Sequence, residues 1–333
     1  MRLTLIMYAL MLCFGVYIWA ANQDFRWPWA RTDWYQQTVM QDQGGRVVDV
    51  NDLVFVDELH GWVVGDRGTI YATRDGGKTW ARQNSGTVHS LRGVDFLDAR
   101  RGWAVGAWNT VLATDDGGLT WQSLTQEAGV VLTSVKFVDE WTGWMAGSGG
   151  EVRRTEDGGR TWVQQRVVPS TSAAQEGAPG ISGLSVVDAR SVWIGGLSGF
   201  LAVTEDGGRL WTRFFADIER VGAVFFINHR TGWYGGQGGR IYRTDNRGQT
   251  WRRQPTPSFS PILDLVFVNR DVGWAVGAAS TILQTTNGGR TWTSQDAGIT
   301  RNLVAVTAID PNTAWAAGQG GLILRYRGAG GGA

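Results

Sequence analysis

Tryptophan recurs in this sequence at fixed intervals, and this repeat constrains the fold more than any other feature. Successive members of a first series are separated by 41, 41, 49, 40, 41 and 41 residues, and a glycine stands three residues after each. A second tryptophan follows each of the first six members after 18 residues. The first series is Trp62, Trp103, Trp144, Trp193, Trp233, Trp274 and Trp315, and the second is Trp80, Trp121, Trp162, Trp211, Trp251 and Trp292. Seven similar units are typical of a repeat architecture in which each unit buries its apolar faces against its neighbours.

Each unit has the pattern of four short β-strands. In the second unit, residues 91–98 alternate in the period of two expected for a half-buried strand. Turns at 99–101 and near Asn109 separate this strand from predicted strands over 102–107 and 110–116, and a Gly-Gly turn precedes a fourth strand over 119–124. Four strands in about 40–45 residues are typical of a propeller blade. We therefore predict an all-β, seven-bladed β-propeller in which the tryptophans fill the space between adjacent blades.

The two ends of the chain are predicted to share the last blade. The seventh unit has only three predicted strands, over 304–309, 314–317 and 322–326, before a Gly-rich tail at 328–333. Residues 33–37 supply a candidate for the missing fourth strand, with Trp34 as the seventh copy of the second tryptophan. Pairing this N-terminal strand with the last three would leave no sheet edge open. The propeller is thus expected to span residues 33–327.

Six units carry the Asp-box motif S/T-x-D-x-G-x-T-W at the turn before their last strand. The side-chain oxygen at its third position can accept hydrogen bonds from turn amides, and glycine can adopt the positive φ that the turn needs. The residues at this position are Asp75, Asp116, Asp157, Asp206, Asn246 and Asn287. Because each stands alone in its own blade, we predict that they have a structural role and form neither a metal site nor an acid–base pair.

The sequences VNDLVFVDELHGWVVGDRGTIYATRDGGKTW (50–80) and LRGVDFLDARRGWAVGAWNTVLATDDGGLTW (91–121) resemble the photosystem II stability/assembly factor family. In that family a run of the type F-x-D…G-W-x-x-G…T-x-D-G-G-x-T-W recurs around a seven-bladed ring, and the resemblance here covers roughly residues 34–327. It implies a non-enzymatic protein on the lumenal or periplasmic side that helps photosystem II reaction-centre subunits to assemble. Some members carry an arginine-rich surface for partner proteins. Asp boxes are also shared with sialidases, sortilin-type receptors and xyloglucan-degrading enzymes.

The N-terminus is predicted to be a membrane segment. Residues 3–21 carry no charge and follow Arg2, and at about 1.5 Å per residue such a helix nearly spans the hydrocarbon layer. We predict a signal anchor over 1–22 and a linker over 23–32, with the rest of the chain in the periplasm or an equivalent compartment. The alternative is a cleaved signal peptide, which would leave the domain secreted.

Arginine placement indicates a candidate partner-binding surface. The net charge is only +1, which argues against general electrostatic binding of nucleic acid, but residues 209–253 hold nine arginines and three acids. We assign a candidate surface for a membrane-protein partner to Arg213, Arg220, Arg240, Arg243, Arg252 and Arg253. Guanidinium groups bind carboxylates in bidentate geometry, so an acidic partner segment fits, and anionic lipid heads fit as well. The alternative is solubilising charge on outer strands; the chain is expected to be monomeric.

The sequence gives less support to other functions. A glycoside hydrolase needs two facing carboxylates, and Asp52, Asp95 and Asp264 fall on predicted innermost strands of only three blades. Trp108 and Trp141 lie in predicted turns, where they could stack on sugars or cover a blade. An insertion centred on 169–179 is either a binding loop or a plain surface loop. With one cysteine and three scattered histidines, we predict no metal, no cofactor and no enzymatic activity.

Overall fold

The predicted seven-bladed, all-β propeller is confirmed. The computed structural model describes residues 33–124, 129–167 and 180–328, which form seven four-stranded antiparallel sheets. The predicted anchor (1–22), the linker (23–32), the centre of the insertion (169–179) and all but the first residue of the tail lie outside the described residues. No helix with the length and hydropathy needed to cross a membrane occurs in the part of the chain that the structure describes.

Each blade is a simple meander of consecutive strands, except for the last. The described chain begins with β1 (Trp34–Val39). Blades 1 to 3 contain β2 (Val50–Phe55), β3 (Gly61–Gly65), β4 (Ile70–Thr73) and β5 (Ala81–Gln83); β6 (Leu91–Phe96), β7 (Gly102–Gly106), β8 (Val111–Thr114) and β9 (Gln122–Ser123); and β10 (Leu132–Phe137), β11 (Gly143–Gly147), β12 (Val152–Thr155) and β13 (Val163–Gln164). Blades 4 to 6 contain β14 (Ile181–Val186), β15 (Val192–Gly196), β16 (Phe200–Thr204) and β17 (Thr212–Phe215); β18 (Val221–Phe226), β19 (Gly232–Gly236), β20 (Ile241–Thr244) and β21 (Arg252–Gln254); and β22 (Ile262–Phe267), β23 (Gly273–Gly277), β24 (Ile282–Thr285) and β25 (Thr293–Ser294). Blade 7 contains β26 (Leu303–Asp310), β27 (Thr313–Gly318) and β28 (Leu322–Arg327), and short 3-10 turns occupy Asp66–Gly68, Ala107–Asn109, Ser148–Gly150, Gln237–Gly239 and Gln319–Gly321.

The predicted closing strand is present. β1 pairs with β28 in antiparallel register, with Trp34 opposite Tyr326, so that the sheet order of blade 7 is β1-β28-β27-β26. Trp34 is 1% exposed and belongs to the apolar core between blades 6 and 7. The first and last strands of the described chain therefore complete one sheet together.

Aromatic stacks hold adjacent blades together, as the tryptophan spacing predicts. In five blades a phenylalanine at the end of the first strand lies flat on the second-strand tryptophan of the preceding blade, as in the pair Trp103 and Phe137, whose ring centroids are 3.5 Å apart. The second-series tryptophan of the phenylalanine's own blade contacts this phenylalanine edge-on, and the ring centroids of Phe137 and Trp162 are 5.9 Å apart. Both tryptophan series thus pack in the layers between sheets, where stacked and edge-on contacts add to the burial of apolar area.

In five blades, a glycine directly before the second-strand tryptophan makes room for the phenylalanine of the same blade. Gly61 pairs with Phe55 across the first two strands, and a Cβ atom at Gly61 would lie 2.5 Å from the Phe55 ring. In the two blades without this phenylalanine the glycine is also absent. Val186 faces Val192 in blade 4, and Ala308 faces Ala314 in blade 7. The F…G-W motif is therefore one packing unit.

Candidate functional site

The turns of each blade fall at two ends of its sheet. Turns between the first and second strands and between the third and fourth strands share one end, here called the Asp-box face. The other turns and the blade-to-blade segments share the opposite end, here called the connection face. This division follows from the antiparallel order of the strands.

The Asp-box residues bind their own turns. Asp75 Oδ1 accepts a hydrogen bond of 2.9 Å from the Thr79 amide and one of 2.8 Å from Thr73 Oγ1. Although burial opposes ionisation, the hydrogen bonds from Thr79 and Thr73 lower the pKa of Asp75 to about 2. The corresponding turn amides are bound by Asp116, Asp157, Asp206, Asn246 and Asn287. The side chains are thus committed to the turn geometry.

Blades 5 and 6 replace aspartate by asparagine at both structural turn positions of the Asp-box face. In the turn after the first strand, Asn228 Oδ1 accepts hydrogen bonds of 2.9 Å from the amides of Arg230 and Thr231, as Asp188 does for its own turn. In the Asp box, Asn246 Oδ1 accepts a 3.0 Å bond from the Thr250 amide. Asn269 and Asn287 repeat both contacts in blade 6. The four replacements keep the hydrogen bonds and remove four negative charges.

The same sector of the Asp-box face is rich in arginine. Segments 228–231, 243–252, 269–272 and 285–292 contain six arginines and two acids, whereas the equivalent segments of blades 1 and 2 contain four basic residues and six acids. We call the exposed arginines of these four segments the basic sector. It consists of Arg230, Arg247, Arg252, Arg270 and Arg290. A formal surplus of four positive charges here attracts anionic groups.

Asp245 neutralises only part of the basic sector. Its carboxylate pairs with Arg243 at 2.7 Å, and the guanidinium groups of Arg252 and Arg270 lie 3.9 Å away. Although its partial burial opposes ionisation, the hydrogen bonds and charge of Arg243 lower the pKa of Asp245. One carboxylate is thus shared by three guanidinium groups, and the side chains of Arg252 and Arg270 remain 68% and 65% exposed.

The six arginines selected from the sequence do not form one surface. Arg220 and Arg240 lie on the connection face, and Arg240 precedes β20 rather than lying on it as predicted. Arg213 lies on the outer strand of blade 4, with its guanidinium 4.6 Å from the Phe215 ring centroid. Arg252 and Arg253 both lie on β21 as predicted, but successive residues point to opposite sides of a strand. Of the six, only Arg252 belongs to the basic sector.

Arg243 makes contacts within the fold and is largely buried. Its guanidinium lies 5.2 Å from the Trp233 ring centroid and donates a 2.8 Å hydrogen bond to the Gly288 carbonyl of the next blade. The side chain is 12% exposed. The other four members of the basic sector were not among the residues predicted from the sequence: Arg230, Arg247, Arg270 and Arg290. The signal that could have found them was the joint occurrence of asparagine at both turn positions in the same two blades.

The carboxylates considered for catalysis lie in the central channel and link blades. Asp52 Oδ2 accepts a 2.9 Å bond from the Val94 amide of the next blade, and Asp264 Oδ2 accepts a 2.8 Å bond from the Val306 amide. Asp95 binds the Phe137 amide at 2.7 Å and Lys136 Nζ at 3.1 Å. Asp52, Asp264 and Lys136 line a cavity with a volume of about 310 Å³. Each of these carboxylates therefore binds the first strand of the following blade.

Burial governs ionisation in this channel. It raises the pKa of Asp52 to about 6 and that of Asp264 to about 7, and it also raises the pKa of Asp95. Although burial opposes its charge, the charges of Asp95 and Asp52 raise the pKa of Lys136. Among the described residues, no group of three or more His, Cys, Asp or Glu side chains is arranged to hold a metal ion.

The two tryptophans considered for sugar stacking lie on different faces. Trp108 is 59% exposed in the turn Ala107–Asn109 of the connection face, where its φ is 58°. Trp141 is 53% exposed in the turn after β10 on the Asp-box face. The two side chains therefore cannot stack on the same sugar ring.

One family model and several solved propeller structures are similar to this chain. The family model described as photosynthesis system II assembly factor YCF48 matches residues 29–124, 85–170, 121–256 and 217–327. A solved structure of YCF48 bound to a D1 peptide is 23% identical, with a TM-score of 0.72, and the match covers 92% of this chain and 96% of that one. YCF48 from Cyanidioschyzon merolae is 21% identical, with a TM-score of 0.72 and coverage of 88% and 98%. The WD40 propeller domain of Doa1 is 13% identical, with a TM-score of 0.69 and coverage of 90% and 98%. No curated protein matches the sequence.

Proposed function

Because the chain belongs to the photosynthesis system II assembly factor YCF48 family, we propose that it is a non-catalytic scaffold that binds a segment of a membrane protein during assembly or stabilisation. In a phototrophic host the partner would be a photosystem II subunit. A YCF48 structure contains a D1 peptide, which supports a protein segment as the ligand.

The basic sector is the proposed contact surface. The observation that carries this proposal is that blades 5 and 6 have asparagine at both turn positions of the Asp-box face, where blades 1 to 4 have aspartate. The side-chain oxygens that the turns need are kept, while four charges that would repel an anionic partner are absent. Arginine forks bind carboxylates in bidentate geometry and are enriched at protein interfaces. We therefore propose an acidic segment as the part of the partner that docks here.

We further propose that the propeller works outside the cytoplasm and is tethered by its N-terminal segment. The support is the uncharged stretch 3–21 behind Arg2, which would hold the N-terminus in the cytoplasm and pass the remainder across the membrane. A tether would keep the basic sector near membrane-protein segments. Fractionation of cells that express the tagged full chain tests this, because a soluble periplasmic protein of reduced mass would contradict the tether.

The docking test restores the four missing charges without touching an arginine. The tagged full chain is used to recover partners from detergent-solubilised membranes, and the variant N228D/N246D/N269D/N287D is compared with the wild type. We expect the partner recovered by the wild type to fall by about tenfold or more, since the field that attracts an acidic segment is cancelled. The melting temperature should change by less than about 2 °C, because aspartate makes the same turn contacts elsewhere in the chain.

The matched control changes the same number of charges at the equivalent positions of blades 1 and 2. The variant D57N/D75N/D98N/D116N should retain the partner and the fold. Equal recovery by the wild type and the asparagine-to-aspartate variant would rule out the basic sector as the docking surface. Sedimentation with vesicles of anionic phosphatidylglycerol tests lipid as the alternative ligand. If the wild type sediments with the vesicles, the asparagine-to-aspartate variant does not, and no protein partner is recovered, the basic sector binds lipid.

A further inference from the structure

In three blades, an arginine on the third strand lies in the cleft between that blade and the next one. Arg154, Arg243 and Arg325 occupy the same position on the third strand of blades 3, 5 and 7, next to the tryptophan of the second strand. Their guanidinium groups lie 5.5, 5.2 and 5.1 Å from the ring centroids of Trp144, Trp233 and Trp315. We call this place the arginine slot.

Two further groups complete the slot. A glycine carbonyl of the next blade accepts from two of these guanidinium groups: Arg243 Nη1 donates to Gly288 at 2.8 Å, and Arg325 Nη1 donates to Gly76 at 3.0 Å. A carboxylate two residues after the arginine can pair with it, as Glu156 pairs with Arg154 at 2.7 Å and Asp245 pairs with Arg243 at 2.7 Å. Arg243 makes all three contacts, whereas Arg154 contacts an indole and a carboxylate and Arg325 contacts an indole and a carbonyl.

Blade 2 keeps the slot but lacks its arginine. Ala113 stands opposite Trp103 at the position of the arginine, and Leu124 replaces the glutamine that blades 1 and 7 direct at the next glycine carbonyl. A cavity of about 280 Å³ opens here between blades 2 and 3 and reaches the side of Trp103. In the neighbouring cleft, the hollow between blades 3 and 4 is bordered by Arg154 and not by Trp144.

The groups that would receive a guanidinium remain available in blade 2. Among the described residues, the Gly158 carbonyl accepts only from Trp103 Nε1, at 3.0 Å, whereas the Gly76 carbonyl accepts from three side chains. Asp115 stands two residues after Ala113, where Glu156 and Asp245 stand in their blades, and its carboxylate makes no ion pair within the described residues.

The mouth of this cavity is aromatic and carries charges of both signs, because Arg160 borders it together with Asp115. Trp141, 53% exposed, and Glu140 lie beside it on the turn of blade 3. Arg101 also lies at the mouth, where its guanidinium pairs with Asp98 and Glu140 rather than with Asp115. The cavity is therefore open to a side chain that comes from outside.

We propose that the cleft between blades 2 and 3 is a binding site for an arginine side chain of a partner protein. The guanidinium lies against Trp103, donates to the Gly158 carbonyl and pairs with Asp115. Arg243 makes this full set of contacts in its own blade, and Arg154 and Arg325 each make two of the three. The occupant is identified by this internal precedent and by the unpaired carboxylate. The site is separate from the basic sector and requires no assumption about it.

The first experiment fills the slot in cis. Ala113→Arg is compared with Ala113→Met, which has similar length without the guanidinium, and with Ala72→Arg, where the residue two positions later is Arg74 in place of a carboxylate. We expect Ala113→Arg to melt about 2 °C or more above Ala113→Met, and to lose this gain when combined with Asp115→Asn. Ala72→Arg should show no gain. A folded Ala113→Arg protein without added stability would show that the slot does not hold a guanidinium.

The second experiment uses the wild-type fold and a defined probe. The peptide acetyl-Ser-Arg-Ser-amide is titrated into the ¹⁵N-labelled protein, and the signals of the Trp103 indole N–H and the Ala113 amide are followed. A single side chain should bind with a dissociation constant in the millimolar range, and the neutral citrulline peptide should bind about tenfold more weakly. Equal shifts with both peptides, no shift at either signal, or shifts that persist in Ala113→Arg would overturn the proposal.

Discussion

At the scale of single residues, the Asp-box turns separate hydrogen bonding from charge. Asn246 Oδ1 accepts from the Thr250 amide, and its Nδ2 donates to Thr250 Oγ1 at 2.9 Å. Asp75 makes the corresponding contacts to Thr79 with two carboxylate oxygens. The turn therefore needs an oxygen at this position and tolerates either a second oxygen or an NH₂ group. The charge of each turn is free to vary with the surface that the blade presents.

This separation predicts different outcomes for two substitutions of Asp75. Asp75→Asn should stay within about 0.5 kcal/mol of the wild type at neutral pH, whereas Asp75→Ala, which loses the turn contacts, should cost about 1 kcal/mol. Urea unfolding measures both free energies. The pKa of Asp75 lies below its unfolded value, so its contribution is present above about pH 4 and is lost as the pH falls toward 2. Asp75→Asn should lack that acid-dependent loss, and equal costs for both variants would contradict the argument.

At the scale of elements, β1 is the strand that completes the seventh blade. Trp34 packs among core residues that include Trp274 and Leu303, and its indole N–H donates to Gln295 of blade 6. Tyr35, the next residue along the same strand, is 40% exposed. The strand therefore contributes to stability through one buried side chain and its pairing with β28.

Trp34→Ala is expected to destabilise the propeller by about 3–5 kcal/mol, the usual cost of emptying a large aromatic site in a core. Tyr35→Ala is the matched control, because it alters the same strand at a partly exposed position and should cost less than about 1 kcal/mol. Thermal unfolding and limited proteolysis near residues 33–40 measure the difference. Similar effects from the two variants would show that the strand does not close the ring through Trp34.

The tryptophan spacing predicted the blades because each tryptophan must reach a layer between sheets, and strands of similar length place it there at similar intervals. Strand ends were less predictable. The fourth strand of blade 2 was expected over 119–124, but β9 covers only Gln122–Ser123, since the Asp-box turn takes up the residues through Trp121. The basic sector was predicted only in part, since Arg252 is its one member among the six arginines selected from the sequence. The contact of Arg243 with Gly288 spans 45 positions of sequence, and density of arginine along the chain does not reveal which side of a strand faces solvent.

At the scale of the whole molecule, the carboxylates of two layers have opposite effects on how the folding stability changes with pH. On the Asp-box face, turn hydrogen bonds lower the pKa of Asp75 and Asp116 to about 2, so these groups stabilise the fold above about pH 4. In the channel, burial raises the pKa of Asp52 and Asp264 to about 6 and about 7. The native protein therefore binds more protons than the unfolded chain between about pH 4 and pH 7, and the channel groups lower stability as the pH rises through that range.

The two layers together predict a stability maximum at mildly acidic pH, and Asp264→Asn isolates the channel contribution. Asp264 faces Asp52 and Lys136 across the channel, so its ionisation adds a negative charge beside one like and one opposite charge. We expect the free energy of unfolding of the wild type to fall by on the order of 1–3 kcal/mol between about pH 4 and pH 8, a range that allows for water in the channel.

The Asp264→Asn variant should be less stable than the wild type at acid pH, because its NH₂ group would face the amide N–H of Val306 or Leu265, which is also a donor. Its stability should fall much less as the pH rises. Urea unfolding across this range gives the slope for both proteins, and Asp75→Asn serves as the control that keeps the wild-type slope above pH 4. Parallel slopes for the wild type and Asp264→Asn would mean that the channel carboxylates titrate as they do in the unfolded chain, and that burial between the seven first strands does not control their charge.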